Sequence, residues 1–355
     1  MSGLAELGWP DGLEPLLAAL AADGREPGRV VSEERGVVNV ATPAGEQPAT
    51  LAGRLRHAAE LDPAVDLPAV GDWVAIADGV VHAVLPRRSA VVRRAPSDHA
   101  RPTQVLAANV DIVFVVTSLN RDFNLRRLER YLATAWESGA QPVVLLSKAD
   151  LEPDVAGMRL AAEATAPGVE VIAVSAVSGD GLDGVRRHLG PGRTVVFLGS
   201  SGVGKSSLVN ALAGAPLLEV AAIREDDARG RHTTTRRQLL RLGDALVIDT
   251  PGLRELALND TDGLAETFDD LEAVARECRF SDCRHAGEPG CAVRVALGDG
   301  RLSGDRFASY QKLEREARRA ELATNAVARK AERRRWSAMM KGVERKMDLK
   351  YGTER

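Results

Sequence analysis

The 355-residue sequence contains no apolar run approaching the roughly 20 residues that a membrane-spanning helix needs. Its opening, Met1-Ser2-Gly3-Leu4-Ala5-Glu6, lacks the basic start and apolar core of a secretory leader. Cysteine is scarce: the three residues Cys278, Cys283 and Cys291 cannot pair off into a disulfide framework. These absences argue against a helical membrane protein and a disulfide-stapled secreted domain, and a cytoplasmic location is expected. No internal repeat or low-complexity segment stands out.

No single sign of charge dominates, since 47 Lys/Arg face 50 Asp/Glu for a net charge of −3. The balance hides an asymmetry. Residues 301–355 hold 16 Lys/Arg against 8 Asp/Glu, while the remainder holds 31 against 42. A basic tail on an acidic body suggests an anionic partner. A solvated charged helix stays open as the plain alternative.

At this length two or three domains are expected, and 45% hydrophobic with 27% charged residues is ordinary for globular ones. Residues 1–28 are read as an N-terminal extension. Residues 29–100 carry short Val-rich runs with Gly/Asp punctuation, such as "GRVVSEERGVVNVAT" and "VGDWVAIADGVVHAV". That texture predicts a five-stranded β-barrel of the OB-fold type. Arg87, Arg88, Arg93 and Arg94 nearby would suit RNA binding, although a plain spacer module reads equally well.

Residues 101–262 change character. "NVDIVFVVTS", "PVVLLSKAD", "VEVIAVSA", "TVVFLGSSG" and "DALVIDTPG" are apolar runs without alternation, with helical patterns between them. This predicts a central α/β domain whose parallel sheet is covered on both faces. Its functional loops belong at the carboxyl ends of the strands. Residues 263–355 read as a mainly α, cysteine-bearing domain that ends in the basic tail.

Gly199-Ser200-Ser201-Gly202-Val203-Gly204-Lys205-Ser206, followed by Ser207, matches the P-loop pattern between a strand and a helix. Backbone N–H groups there wrap phosphates, Lys205 reaches the β- and γ-phosphates, and the Ser206 hydroxyl completes a Mg²⁺ shell. About fifty residues later, Asp249-Thr250-Pro251-Gly252 ends a second apolar strand. Asp249 is placed to hold Mg²⁺, and Gly252 lets a backbone N–H approach the γ-phosphate.

A P-loop does not choose its base. Ser147-Lys148-Ala149-Asp150 supplies that choice, because Asp150 can accept hydrogen bonds from guanine N1–H and the 2-amino group, a donor pair adenine lacks. The Lys148 stem can lie over the ring system. Ser147 stands where Asn is usual. Ser175 and Ala176 close the base pocket at the next strand end. The order is base loop, Ser-Ala loop, P-loop, then Asp-Thr-Pro-Gly, which is a GTPase domain circularly permuted.

Gly230-Arg231-His232-Thr233-Thr234-Thr235 lies between the P-loop and Asp249. Thr234 is the preferred member for Mg²⁺ coordination. Leu253 stands where many GTPases carry a water-positioning Gln, so His232 is the nearest catalytic candidate, with contact to solvent or RNA as the alternative. Further on, "CRFSDCRHAGEPGC" brings Cys278, Cys283, His285 and Cys291 into a Cys₃His set suited to one structural Zn²⁺. The metal would staple a segment with little core of its own.

These residues together resemble the RsgA family of ribosome small-subunit-dependent GTPases. The matching stretches are "GDWV" (71–74), "LAANVD" (106–111), "GSSGVGKSSLVN" (199–210), "GRHTTT" (230–235), "DTPGLRE" (249–255) and "CRFSDCRH" (278–285). The resemblance implies hydrolysis of GTP to GDP and phosphate, stimulated by the small (30S) ribosomal subunit. It also implies a role in late maturation of that subunit with contacts to its rRNA. A monomer is expected. Other readings are a P-loop phosphotransferase or ATPase acting on a small molecule, a GTPase of large-subunit assembly, and an RNA-binding scaffold with a vestigial site. The intact Lys205, Ser206 and Asp249 argue against the last, and "SKAD" against the first.

Overall fold

Valine-rich strands build the first module. In a computed structural model that describes residues 2–10, 14–34, 37–62, 65–94, 103–120, 123–219, 237–249 and 262–324, two short helices, α1 (Ser2–Glu6) and α2 (Glu14–Ala22), precede it. Its strands are β1 (Glu26–Glu34), β2 (Val37–Thr42), β3 (Gly45–Leu51), β4 (Trp73–Ala77) and β5 (Val80–Val84), with helix α3 (Gly53–Leu61) between β3 and β4. The strands pair in the order β1-β2-β3-β5-β4, and β4 returns to β1. A bulge between Val30 and Ser32 bends β1, so that one end pairs with β4 and the other with β2. Val30, Val38, Val40, Val74, Ile76 and Val81 fill the interior. This is the closed five-stranded barrel expected, starting at Glu26 and complete by Val84.

The "AVVRR" run does not join the barrel. It forms β6 (Ala90–Arg94), paired in a separate two-stranded sheet with β7 (Thr103–Ala108). Alternation signals a strand but does not name its partner. The arginines expected to face RNA also have partners within the chain. Arg87 donates twice to the fully buried Asp72 at 2.7 Å and also bonds Asp66. Burial pushes the Asp72 carboxyl up, and Arg87 opposes that shift. Arg88 bonds Asp111 at 3.1 Å and Arg93 bonds Gln104 at 3.0 Å. The Arg94 side chain lies outside the described residues.

The central domain follows as β8 (Ile112–Ser118), α4 (Leu125–Glu137), β9 (Gln141–Ser147), α5 (Val155–Thr165), β10 (Val171–Val174), α6 (Leu182–Arg186), β11 (Thr194–Leu198), α7 (Lys205–Ala213), β12 (Gln238–Leu242) and β13 (Ala245–Asp249). The sheet order is β10-β9-β8-β11-β13-β12. The first five strands are parallel, whereas β12 runs antiparallel to β13. The expected all-parallel sheet therefore carries one antiparallel member, made by a tight hairpin at Gly243. Along β8, Ile112, Phe114 and Val116 point into one core with α6 and α7, and Val113 and Val115 into another with α4 and α5. Burial on both faces explains the absence of alternation in these runs.

Beyond it lie α8 (Asp262–Thr267), α9 (Asp269–Ala275), α10 (Ala292–Gly298) and α11 (Gly304–Thr324). Leu264, Phe268, Leu271, Val293, Leu302 and Leu313 bury around Cys291 and reach Ala133 of α4. The region expected to have little core thus has a small one, assembled from helices distant in sequence. Gly263 makes the close approach: a Cβ there would sit 1.9 Å from the Ala133 carbonyl oxygen. Among the described residues no helix is long and apolar enough to cross a membrane.

Candidate functional site

The carboxyl ends of β9, β10, β11 and β13 carry four segments, the first three of them tied together by side-chain hydrogen bonds. After β11 the P-loop starts at Gly199, with φ at +155°, where a Cβ would lie 2.3 Å from the Val116 carbonyl oxygen of β8. Only glycine fits so close to a neighbouring strand. Val203 is buried in the core and anchors the loop before α7 begins at Lys205. Ser206 and Ser207 occupy the first turn of that helix, whose N-terminus carries partial positive charge. The Lys205 ammonium donates to the carbonyl oxygens of Gly199 and Ser200, both at 2.6 Å.

The base-reading loop is tied directly to that P-loop. Ser147 is buried, and its hydroxyl donates to the Val203 carbonyl oxygen at 2.6 Å and lies 3.3 Å from that of Thr117. A serine where Asn is usual therefore pins two loops together. Lys148 has left-handed backbone at φ +59°, and its Nζ donates to the Gly202 carbonyl oxygen at 2.8 Å. Asp150 lies in a short 3-10 turn, Ala149–Leu151, and accepts from the Ser175 hydroxyl at 2.6 Å. Ser175 Oγ in turn accepts from the backbone N–H groups of Val177 and Ser178, both at 3.1 Å. That chain of bonds fixes the Asp150 carboxylate, and Ala176 packs against the core beneath it. A carboxylate so oriented can accept the paired donors of a guanine edge.

Asp249 ends β13, where burial pushes its carboxyl above the usual range and the Lys205 charge pulls it back down. With the Ser206 hydroxyl it offers hard oxygen donors of the kind Mg²⁺ takes. The sequence-based candidates His232, Thr234 and Gly252 lie outside the described residues. The sequence did not point to two residues of α4 that touch the P-loop. Arg127 Nη1 donates to Ser200 Oγ at 2.7 Å, and the Tyr131 hydroxyl lies 3.2 Å from the same atom. Their i, i+4 spacing at the edge of an amphipathic helix was the available signal.

The second cluster is the cysteine region. The ligand atoms of Cys278, Cys283, His285 and Cys291 all lie within 4.8 Å of one another, so the set can hold one metal ion. His285 Nδ1 is 3.7 Å from Cys278 Sγ and 3.4 Å from Cys291 Sγ. Three thiolates and an imidazole at this spacing match a closed tetrahedral site, in which zinc sits about 2.3 Å from sulfur. Glu288 braces the loop by accepting from the backbone N–H groups of Ala286 at 2.8 Å and Gly287 at 3.1 Å. Its own N–H first, then those of its neighbours, hold the carboxyl down at about 2.

A family model described as RsgA GTPase matches residues 84–259. The small ribosomal subunit biogenesis GTPase RsgA of Opitutus terrae is 48% identical over 356 aligned positions, which cover 96% of each chain. The chain belongs to the RsgA GTPase family. Its RsgA relative in Streptomyces coelicolor is 47% identical, covering 92% of this chain and 90% of that one. YjeQ from Thermotoga maritima has a TM-score of 0.61 at 28% identity, over 82% of this chain and 98% of its own. YloQ, described as a circularly permuted GTPase, is similar in fold, with a TM-score of 0.58 at 24% identity over 82% and 95%. In this chain the permutation is explicit, since Ser147 and Lys148 precede the P-loop to which they are bonded.

Proposed function

We propose that this chain hydrolyses GTP to GDP and phosphate in the biogenesis of the small ribosomal subunit. The observation that supports the reading is the direct bonding of base loop to P-loop, Ser147 to Val203 and Lys148 to Gly202, which holds the two motifs side by side. There the N–H groups from Gly199 to Ser207 and the α7 N-terminus cradle the phosphates. Lys205 exchanges its two carbonyl partners for β- and γ-phosphate oxygens. Asp150, steadied by Ser175, accepts the guanine N1–H and 2-amino donors, and the Ala176 N–H meets O6.

Ser206, Asp249 and Thr234 would hold Mg²⁺, which when bound neutralises charge on the β- and γ-phosphates. Gly252 offers its N–H to the γ-phosphate, and His232 orients the attacking water. The Cys₃His set takes a single structural Zn²⁺. The basic tail meets rRNA phosphates of the 30S subunit, and the protein works as a cytoplasmic monomer. The test is turnover of GTP and ATP, each with and without purified small subunits. GTP should be strongly preferred, with turnover raised by the subunits. Equal use of ATP, or no response to subunits, would overturn the reading.

A further inference from the structure

Helix α4 has three edges with different work. Leu128, Leu132 and Ala135 enter the core beneath the sheet. Arg127 and Tyr131 meet Ser200 in the P-loop. Arg126, Glu129, Arg130 and Ala133 meet the C-terminal helices: Arg130 pairs with Glu316 at 2.5 and 2.8 Å, and the buried Glu129 accepts from Arg306 at 3.2 Å and from Ser309. Residues 130 and 131 are adjacent, so the contact with α11 and the contact with the P-loop share one turn of helix. The seam is not filled. A cleft of about 480 Å³ opens between α4 and α11, lined in part by Arg127, Arg130 and Lys312.

We propose that Arg127 and Tyr131 are positioning residues for GTP hydrolysis, setting the P-loop through Ser200, and that α11 tunes that setting through the Arg130–Glu316 pair. The inference rests on the GTPase reading above. Lys205 donates to the Ser200 carbonyl oxygen while Arg127 holds the hydroxyl of the same residue. A shift of α4 therefore moves the P-loop backbone at Ser200, within the segment whose N–H groups face the phosphates. Charge-assisted bonds of this kind are the strong ones, and the guanidinium makes them with fixed geometry. A signal received by the C-terminal helices then reaches the phosphates through one rigid element with two faces.

The test uses the full-length, metal-loaded protein. Arg127→Met should lower kcat for GTP by about tenfold while GDP affinity changes by less than about threefold. Arg127→Lys should recover part of the loss, and Tyr131→Phe should cost about twofold to threefold in kcat. Combining Arg127→Met with Ser200→Ala should add little to either alone, since both remove the same bond. Glu316→Arg should lower kcat, and Arg130→Glu placed with it should restore the pair and the rate. Lys205→Ala is the control. If Lys205→Ala is inactive while Arg127→Met keeps full kcat, the positioning role fails and the GTPase reading stands. If Lys205→Ala also keeps full activity, the GTPase reading itself fails. Loss of GDP affinity in step with kcat, or failure of the charge swap to rescue in a protein with an unchanged melting curve, overturns the coupling.

Discussion

The nucleotide domain is joined to its two neighbours by an arginine on each side, and the two joints are built differently. On the barrel side Arg29 is fully buried and, among the described residues, meets no carboxylate at bonding distance. It donates to the carbonyl oxygens of Gly71 at 2.8 Å and Leu7 at 2.6 Å, and to Thr194 Oγ1 at 3.0 Å, and it lies over the Trp73 ring. Burial lowers its pKa to about 10. The backbone reinforces this joint, since β1 pairs with β12 at Ser32 and Gln238. On the C-terminal side Arg306 meets Asp270 at 2.8 and 2.9 Å, Glu129 at 3.2 Å and the Thr267 carbonyl oxygen at 2.8 Å, over the Phe268 ring. Across the joint Arg306 meets the buried Glu129 and the Thr165 carbonyl oxygen at 3.2 Å, while Asp270, on its own side, is 40% exposed. Neutral acceptors around a buried cation make a joint that salt does not screen, whereas a partly exposed ion pair weakens with salt. The barrel joint rests on neutral acceptors, and the C-terminal joint includes a carboxylate.

Metal removal should break the comparison most severely. Chelation, or Cys291→Ser, should unfold the C-terminal helices, because binding energy at a structural zinc is folding energy. The barrel and sheet should keep their fold, and hydrogen exchange would show protection lost after residue 262 alone. Collapse of the whole chain would contradict two separable joints. Arg29→Met comes next. Removing a buried group with at least three acceptors should cost about 3 kcal/mol in denaturant unfolding, with little dependence on salt. Arg306→Met should cost less, about 2 kcal/mol, because its partners are in part solvated, and the difference from the unmutated chain should shrink as ionic strength rises. Equal salt dependence for the two substitutions would erase the distinction.

The parts legible in the sequence were those whose chemistry is local. The P-loop, Asp249 at a strand end, and the cysteines with His285 each lie within a few residues and carry their own backbone demands, such as Gly199 against Val116. The sheet was legible because strands buried on both faces read as unbroken apolar runs. What escaped depends on partners far along the chain. Arg29 sits among small and apolar neighbours with nothing local to mark it, and its acceptors lie 22 to 165 residues away. Arg87 read as a nucleic-acid contact because Asp72, fifteen positions earlier, turns inward only once the barrel closes. Ser147 read only as a departure from the usual Asn, and its bond to Val203 spans 56 residues. Such pairs are fixed by tertiary packing, which residue type and spacing do not encode.

Everything rests on two motifs, written in reverse order, forming one guanine-nucleotide pocket. The most direct measurement compares GDP and xanthosine diphosphate binding to the unmutated protein and to Asp150→Asn. Xanthine carries a carbonyl where guanine carries its 2-amino group, so an amide at position 150 gains a partner there and loses one to guanine. The substitution should weaken GDP by about 100-fold and strengthen xanthosine diphosphate by a comparable factor. Unchanged affinity for both would show that Asp150 does not read the base.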